Sequence, residues 1–182
     1  MFTSAVTKTA VLALVAVGAV SSAPLETRDR DDFKNKMLEG TNWYRSQHGA
    51  KALSWDQDLE DYAANYARAC LKQHSRGPHG ENLDWYSYWG SPASYVNDFG
   101  RERINFDFNN GGFDKSTGHF TQLVWKDTSR MGCAWADCSS WYNIVCEYER
   151  AGNIRSIEGD NRFYRENVGR QVWGNIKDEF QG

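Results

Sequence analysis

The chain has 182 residues, with 21 basic and 24 acidic side chains and a formal net charge of −3. Its Lys and Arg residues are scattered singly and form no basic stripe, which argues against a phosphate-backbone binder, so nucleic acid is not expected as a partner. No apolar run reaches the roughly 20 residues that a bilayer crossing needs, so no transmembrane segment is expected.

The first 23 residues have the three-part layout of a secretory signal peptide: Lys8, an apolar run from Ala10 to Val20, and small residues Ser21-Ser22-Ala23. With cleavage after Ala23, residues 24–32 are expected to be a flexible N-terminus or a short propeptide, and the loss of Lys8 takes the formal net charge from −3 to −4. The remainder is long enough for one domain with a real core.

Phe33, Met37, Leu38, Thr41 and Tyr44 recur at helical spacing, and Gly49 after His48 suits a helix end in the left-handed conformation. Ser54 or Asp56 caps a second helix whose apolar face is Leu59, Tyr62, Ala63, Tyr66, Ala67 and Cys70. Residues 72–90 are polar and broken by glycines and Pro78, which predicts a loop with a short strand or turn around Glu81 to Trp85. A third helix is predicted from about Ala93 to Ile104. The glycine-rich stretch Asn105 to Gly118 reads as a long surface loop. Phe120 to Trp125 suits either a strand or a short helix, and Met131–Ala136 with Tyr142–Glu149 has the pattern of an antiparallel hairpin. Val168, Val172, Trp173, Ile176 and Phe180 are spaced for an amphipathic helix despite Gly169 and Gly174.

Four cysteines, Cys70, Cys133, Cys138 and Cys146, suit two disulfides in an oxidising compartment, and spacing alone leaves three connectivities open. A zinc site is the competing use. However, Cys133-x4-Cys138 lacks a second close pair or a nearby His.

Gly80-Glu81-Asn82-Leu83, the run Gly118-His119-Phe120-Thr121-Gln122-Leu123-Val124-Trp125, the segment Asn143 to Tyr148 and the closing Gly152-Asn153 resemble the CAP superfamily of cysteine-rich secretory, antigen 5 and pathogenesis-related class 1 proteins. The similarity is greatest to its fungal secreted members and covers residues 33–169, with 170–182 as a C-terminal tail. The resemblance implies an α+β fold, a three-layer α/β/α sandwich around a central antiparallel sheet. It also implies the disulfide pairing Cys70 with Cys138 and Cys133 with Cys146.

The family's cleft holds two histidines and two acids, which carry over to His74, His119, Glu81 and Glu102. His74 and His119 are then expected as ligands of a divalent ion, zinc above all, with Glu81 and Glu102 acting through water or as orienting groups. A mutually satisfied polar network without metal is the competing expectation. His79 falls beside this site without matching a family ligand, and His48 is placed to interact with the end of the first helix.

A hydrolase would need a nucleophile beside a base, and Ser75 and Ser87 are the candidates. Neither lies in a Gly-x-Ser-x-Gly elbow, and no His-Glu-x-x-His helix occurs. In similar fungal proteins the loop matching Phe106, Phe108 and Phe113 belongs to a sterol-binding surface, and a separate groove between helices takes fatty acyl chains. The resemblance therefore points to a secreted protein that binds sterols, fatty acids or related lipids in lipid export, detoxification or host interaction, with no catalysis required. A metal-dependent extracellular peptidase using His74, His119, Glu81 and Glu102 is the alternative. A secreted effector that meets a protein partner through its surface or its tail is the third reading.

Overall fold

The structure is a computed structural model that describes residues 25–182, with side chains from residue 29. The expected signal peptide lies outside the described residues. In chain order the elements are α1 (Leu25–Gln47), β1 (Ser54–Trp55), α2 (Gln57–Ala67), β2 (Gly80–Tyr86), α3 (Pro92–Arg101) followed by a 3-10 turn (Glu102–Asn105), α4 (Gly118–Leu123), β3 (Arg130–Asp137), β4 (Tyr142–Glu149) and α5 (Arg162–Asn167).

The sheet order is β1-β3-β4-β2. The predicted hairpin pairs Cys133 directly with Cys146, and β2 adds on the far side of β4 with Glu81 opposite Glu147. The sheet is mixed rather than wholly antiparallel. Ser54 and Trp55, leading straight into α2, lie parallel to β3 as a two-residue edge.

Side-chain alternation along the strands builds the two outer layers. Ala134, Ala136, Val145 and Leu83 meet Ala63 and Ala67 of α2 on one face. Met131, Cys133, Ile144, Cys146 and Tyr148 face a larger core containing Phe33, Met37 and Tyr44 of α1 and Tyr95, Val96 and Phe99 of α3. This is the three-layer arrangement that the family resemblance implies.

Local chemistry sets the boundaries. Asp56 rather than Ser54 caps α2, its carboxylate accepting from the backbone N–H groups of Asp58 and Leu59 at 3.0 and 3.2 Å. Ser91 caps α3, which begins with Pro92 and changes to 3-10 geometry at Glu102. The ambiguous Phe120 region is helical. α1 ends before His48, and Gly49 adopts φ 66° as its position predicts. The disulfides are Cys70–Cys138, joining the chain beyond α2 to the hairpin turn, and Cys133–Cys146 across the hairpin. Each contributes about 2–4 kcal/mol.

The C-terminal segment departs from its predicted helix. Buried Arg103 donates to the carbonyls of Asn175, Ile176 and Asp178 at 3.1, 2.9 and 2.5 Å, so carbonyls that a helix would use internally are captured from outside. Gly174 turns the chain at φ 74°. Asn97 then clamps Phe180 through both its N–H and its carbonyl, and the Phe180 ring reaches Trp43. The tail is thus an irregular strap across α1 and α3. Deleting residues 170–182 is expected to lower the melting temperature by roughly 6–12 °C, for a loss of about 3 kcal/mol, readable by thermal denaturation. An unchanged melting temperature would mean that the strap contributes nothing to stability.

Candidate functional site

Two His–carboxylate pairs flank β2. His74 Nδ1 lies 2.6 Å from Glu81 Oε1, and the same carboxylate accepts from the Ser75 backbone N–H at 3.0 and 3.2 Å. Burial pushes Glu81 up, but the bonds from His74 and Ser75 outweigh it and hold the carboxyl below its ordinary pKa. The bond to Glu81 in turn raises His74.

On the other side His119 Nδ1 lies 2.8 Å from Glu102 Oε1. Glu102 Oε2 accepts the backbone N–H groups of His119 and Phe120 at 2.9 and 3.1 Å, tying down the first turn of α4. The Asn153 side chain holds the Gly118 carbonyl at 2.8 Å, and Asn82 donates to the His119 carbonyl at 3.1 Å.

The pairing of each predicted histidine with a predicted acid is therefore present. Glu81 shares its face of β2 with Leu83, toward α2, whereas Asn82 points toward α4 and His119. A cavity of about 270 Å³ includes His74, His79, Glu81, Gln122 and Asn153 in its wall, but not His119 or Glu102. A carboxylate on Nδ1 fixes the tautomer and leaves Nε2 for a metal. Structural and catalytic zinc sites ordinarily use three or four protein ligands. Among the described residues no group of three His, Cys, Asp or Glu side chains is placed to hold an ion. Each pair therefore offers one candidate ligand atom, Nε2 of His74 and Nε2 of His119, backed by its carboxylate.

The remaining candidates fall into structural roles. Ser75 Oγ accepts the Gly77 N–H at 3.1 Å within a turn, and Ser87 is exposed beyond the end of β2. His79 lies 3.3 Å from Glu149 and edge-on to Tyr62. His48 is not a charged partner of the α1 terminus. It is 1% exposed, holds the Gly169 carbonyl through Nδ1 at 2.8 Å and stacks on Phe108, and burial pushes its pKa down to about 4.

One group that pattern reading missed is Glu147. It is 0% exposed and sits cross-strand from Glu81, to which its protonated carboxyl donates, and neither of its oxygens meets any other partner. Burial, reinforced by Glu81, pushes its pKa up to about 9, so at neutral pH it keeps a proton. The available signal was an acid at an inward position of the alternation Asn143, Val145, Glu147.

The three phenylalanines of the loop separate as well. Phe106 is 8% exposed and Phe108 is half-buried, and both pack edge-on against Phe120, pinning the loop to the core. Phe113 alone is open, at 41% exposure, with the Arg155 guanidinium 4.6 Å from its ring centroid. Two cavities of about 310 Å³ each share Phe113 as a wall, one beneath the loop and one toward α5.

The disulfide-stapled α/β/α sandwich carries a His–carboxylate pair on each side of one strand. The CAP profile, the cysteine-rich secretory protein family, matches residues 38–148, and the chain belongs to that family. "Repressed by EFG1 protein 1" of Candida albicans is 40% identical over 147 residues, covering 75% of this chain and 54% of its own length. The chain thus spans about half of that relative. "Pathogenesis-related protein 1" of Arabidopsis thaliana is 33% identical over 145 residues, 77% of this chain and 90% of its own. The crystal structure of NaASP2 with Zn2+ superposes with a TM-score of 0.59 at 24% identity, covering 76% of this chain and 87% of that one, a likeness of fold.

Proposed function

We propose that this chain is a secreted binder of sterols or related lipids, with Phe113 as the contact that the ligand's apolar body meets. The observation that carries the reading is an exposed aromatic ring on a glycine-rich loop whose other two rings are locked into the core, with a cavity on each side. A ring presented this way offers apolar area without the entropic cost of ordering a mobile loop. The family resemblance of this loop to sterol-binding surfaces supports the same assignment. Four cysteines paired in two disulfides support an extracellular location.

Neither His–carboxylate pair is needed for such binding. The peptidase alternative draws on the 2.6 Å His74–Glu81 contact at a cavity wall. In that reading the nucleophile is a metal-bound water, with Glu81 or Glu102 as its base.

Phe113→Ser is expected to weaken equilibrium binding of a fluorescent sterol about tenfold or more while leaving the melting temperature nearly unchanged, the ring being half outside the core. Triple replacement of Phe106, Phe108 and Phe113 would confound binding with unfolding. Undiminished affinity in Phe113→Ser would remove the loop from the reading.

A further inference from the structure

The segment Ile154 to Gly159, which the lipid reading leaves unused, breaks the chemistry of the turn it forms. The Ser156 carbonyl accepts the Gly159 N–H at 3.1 Å, Ser156 Oγ accepts the Glu158 N–H at 3.2 Å, and Gly159 closes the turn at φ 74°. Serine at the first position and glycine at the fourth are residues that such a turn selects, and polar residues are expected between them. Ile157 stands there instead and is 98% exposed, while Ile154, just before the turn, is 49% exposed. An isoleucine held in water by a hydrogen-bonded turn contributes nothing to the fold, and a local rule broken without a structural gain points to a contact outside the domain.

The turn adjoins the loop that carries Phe113. Asn153 holds the Gly118 carbonyl at 2.8 Å, and Arg155 covers one face of the Phe113 ring. Ser156 and Gly159 line the same cavity as Phe113, so the two isoleucines flank the wall of a cavity already assigned to the apolar ligand. Ile154, Ile157 and Phe113 expose on the order of 300 Å² between them, well short of the about 800 Å² that each partner gives to a stable protein interface. Separate apolar side chains projecting from a fixed tip instead suit the head-group region of a bilayer, which accepts a small inserted area. Charge does not oppose the approach. Glu158, beside Ile157, is paired with Arg162 at 3.2 Å, and Asp160 with Arg165 at 3.7 Å. Lys115 and Arg155 are exposed cations on the same two segments, with stems that can lie along the acyl region and heads that reach lipid phosphate.

We infer that the turn at Ile157 is a membrane-docking tip: Ile154 and Ile157 enter a sterol-containing bilayer, and the cavity beside Phe113 is brought to the surface from which its ligand is taken up. The inference rests on the lipid-binding reading for its cargo and adds the place and route of loading. Ile154 and Ile157 then govern how fast sterol is exchanged, not how tightly it is held.

Vesicle flotation and sterol uptake, measured on the wild-type chain and the double variant Ile154→Ser, Ile157→Ser, test it. With phosphatidylcholine vesicles containing cholesterol, the variant is expected to lose about tenfold or more in both vesicle binding and the initial rate of cholesterol uptake, the scale of two inserted isoleucines. Its affinity for cholesterol delivered from cyclodextrin should stay within about twofold of wild type and its melting temperature should not move, because both side chains lie outside the core. Equal flotation and uptake rates in the two proteins, or an Ile157-dependent self-association without vesicle binding, would overturn the docking tip and leave the lipid reading intact. Flotation that depends on the isoleucines, with no cholesterol taken up from vesicles or cyclodextrin, would support the docking tip and overturn the lipid reading.

Discussion

Arg45→Met is expected to cost about 4 kcal/mol and lower the melting temperature by roughly 8–16 °C, the largest loss from any single side chain in the domain. Arg45 is 0% exposed in the last turn of α1, and its guanidinium donates to four backbone carbonyls: Lys51 at 2.7 Å, Leu123 at 3.0 Å, Trp125 at 2.9 Å and Thr128 at 3.0 Å. No carboxylate shares the site among these contacts, and burial pulls the arginine pKa down to about 10, so the charge stays on while its solvation is supplied by peptide groups. Those carbonyls belong to the α1–β1 loop and to the chain leaving α4, and Arg45 is what joins them. Methionine fills the stem volume but removes the donors of the Lys51, Leu123 and Thr128 carbonyls, while the Trp125 carbonyl keeps the Thr128 N–H at 3.2 Å. Lysine, with three donors on a single nitrogen, should rescue only part of the loss. Chemical denaturation of the three proteins gives the comparison directly, and an Arg45→Met chain within about 1 kcal/mol of wild type would contradict this role.

The second large effect has the opposite sign. Glu147→Gln should stabilise the protein by about 3 kcal/mol at pH 8 and leave it nearly unchanged near pH 4.5. In the folded chain Glu147 keeps its proton to about pH 9, whereas the unfolded chain releases it near the ordinary value of 4.5. Between these values the folded state binds more protons, so this group's contribution to stability falls as pH rises. The groups around it sharpen the effect. Glu81 faces it across the strands as a second acid, while Tyr66 of α2 and Tyr148 of its own strand offer no cation. Glutamine carries its N–H permanently, can donate to Glu81 as the protonated acid does, and does not titrate. His48 works in reverse: with its pKa pushed down to about 4, it favours the folded state increasingly from pH 4 to 6.5. The two slopes oppose each other below pH 6.5. Above that Glu147 remains, joined in the same direction by His74, whose pKa the bond to Glu81 raises, and wild-type stability should decline toward pH 9. A Glu147→Gln protein whose stability fell with pH as steeply as wild type would assign the slope to another group.

Both residues mark where sequence reading stops. Helical spacing located α2 and a run of β-formers located the hairpin, while β2 was read only as a short strand or turn within a loop, because its polar flanks and glycines hide the apolar face that Leu83 provides. The inward face of α1, read as Phe33, Met37, Thr41 and Tyr44, has Arg45 at its edge. A cation there reads as solvent-facing unless the carbonyls it satisfies, three of them 78 to 83 residues away, are known. Glu147 and Glu81 are 66 positions apart and become neighbours only through strand register. The tail was legible as apolar but not in conformation, since Arg103 decides it from another element. The glycine-rich loop gave all three phenylalanines the same standing, and only packing against Phe120 and His48 separated Phe106 and Phe108 from Phe113. The His–carboxylate pairs were legible one residue at a time, but β2 alternation, which directs Glu81 toward α2 and Asn82 toward His119, places the pairs on different sides of the strand.

The most direct test of the lipid assignment is a titration of the isotopically labelled chain with cholesterol delivered from cyclodextrin, followed by amide chemical shifts. Saturable changes should gather at residues 105–118 and 155–164, around Phe113 and the two cavities beside it. Changes confined to the His74 and Glu81 cavity, or none at saturating sterol, would contradict it.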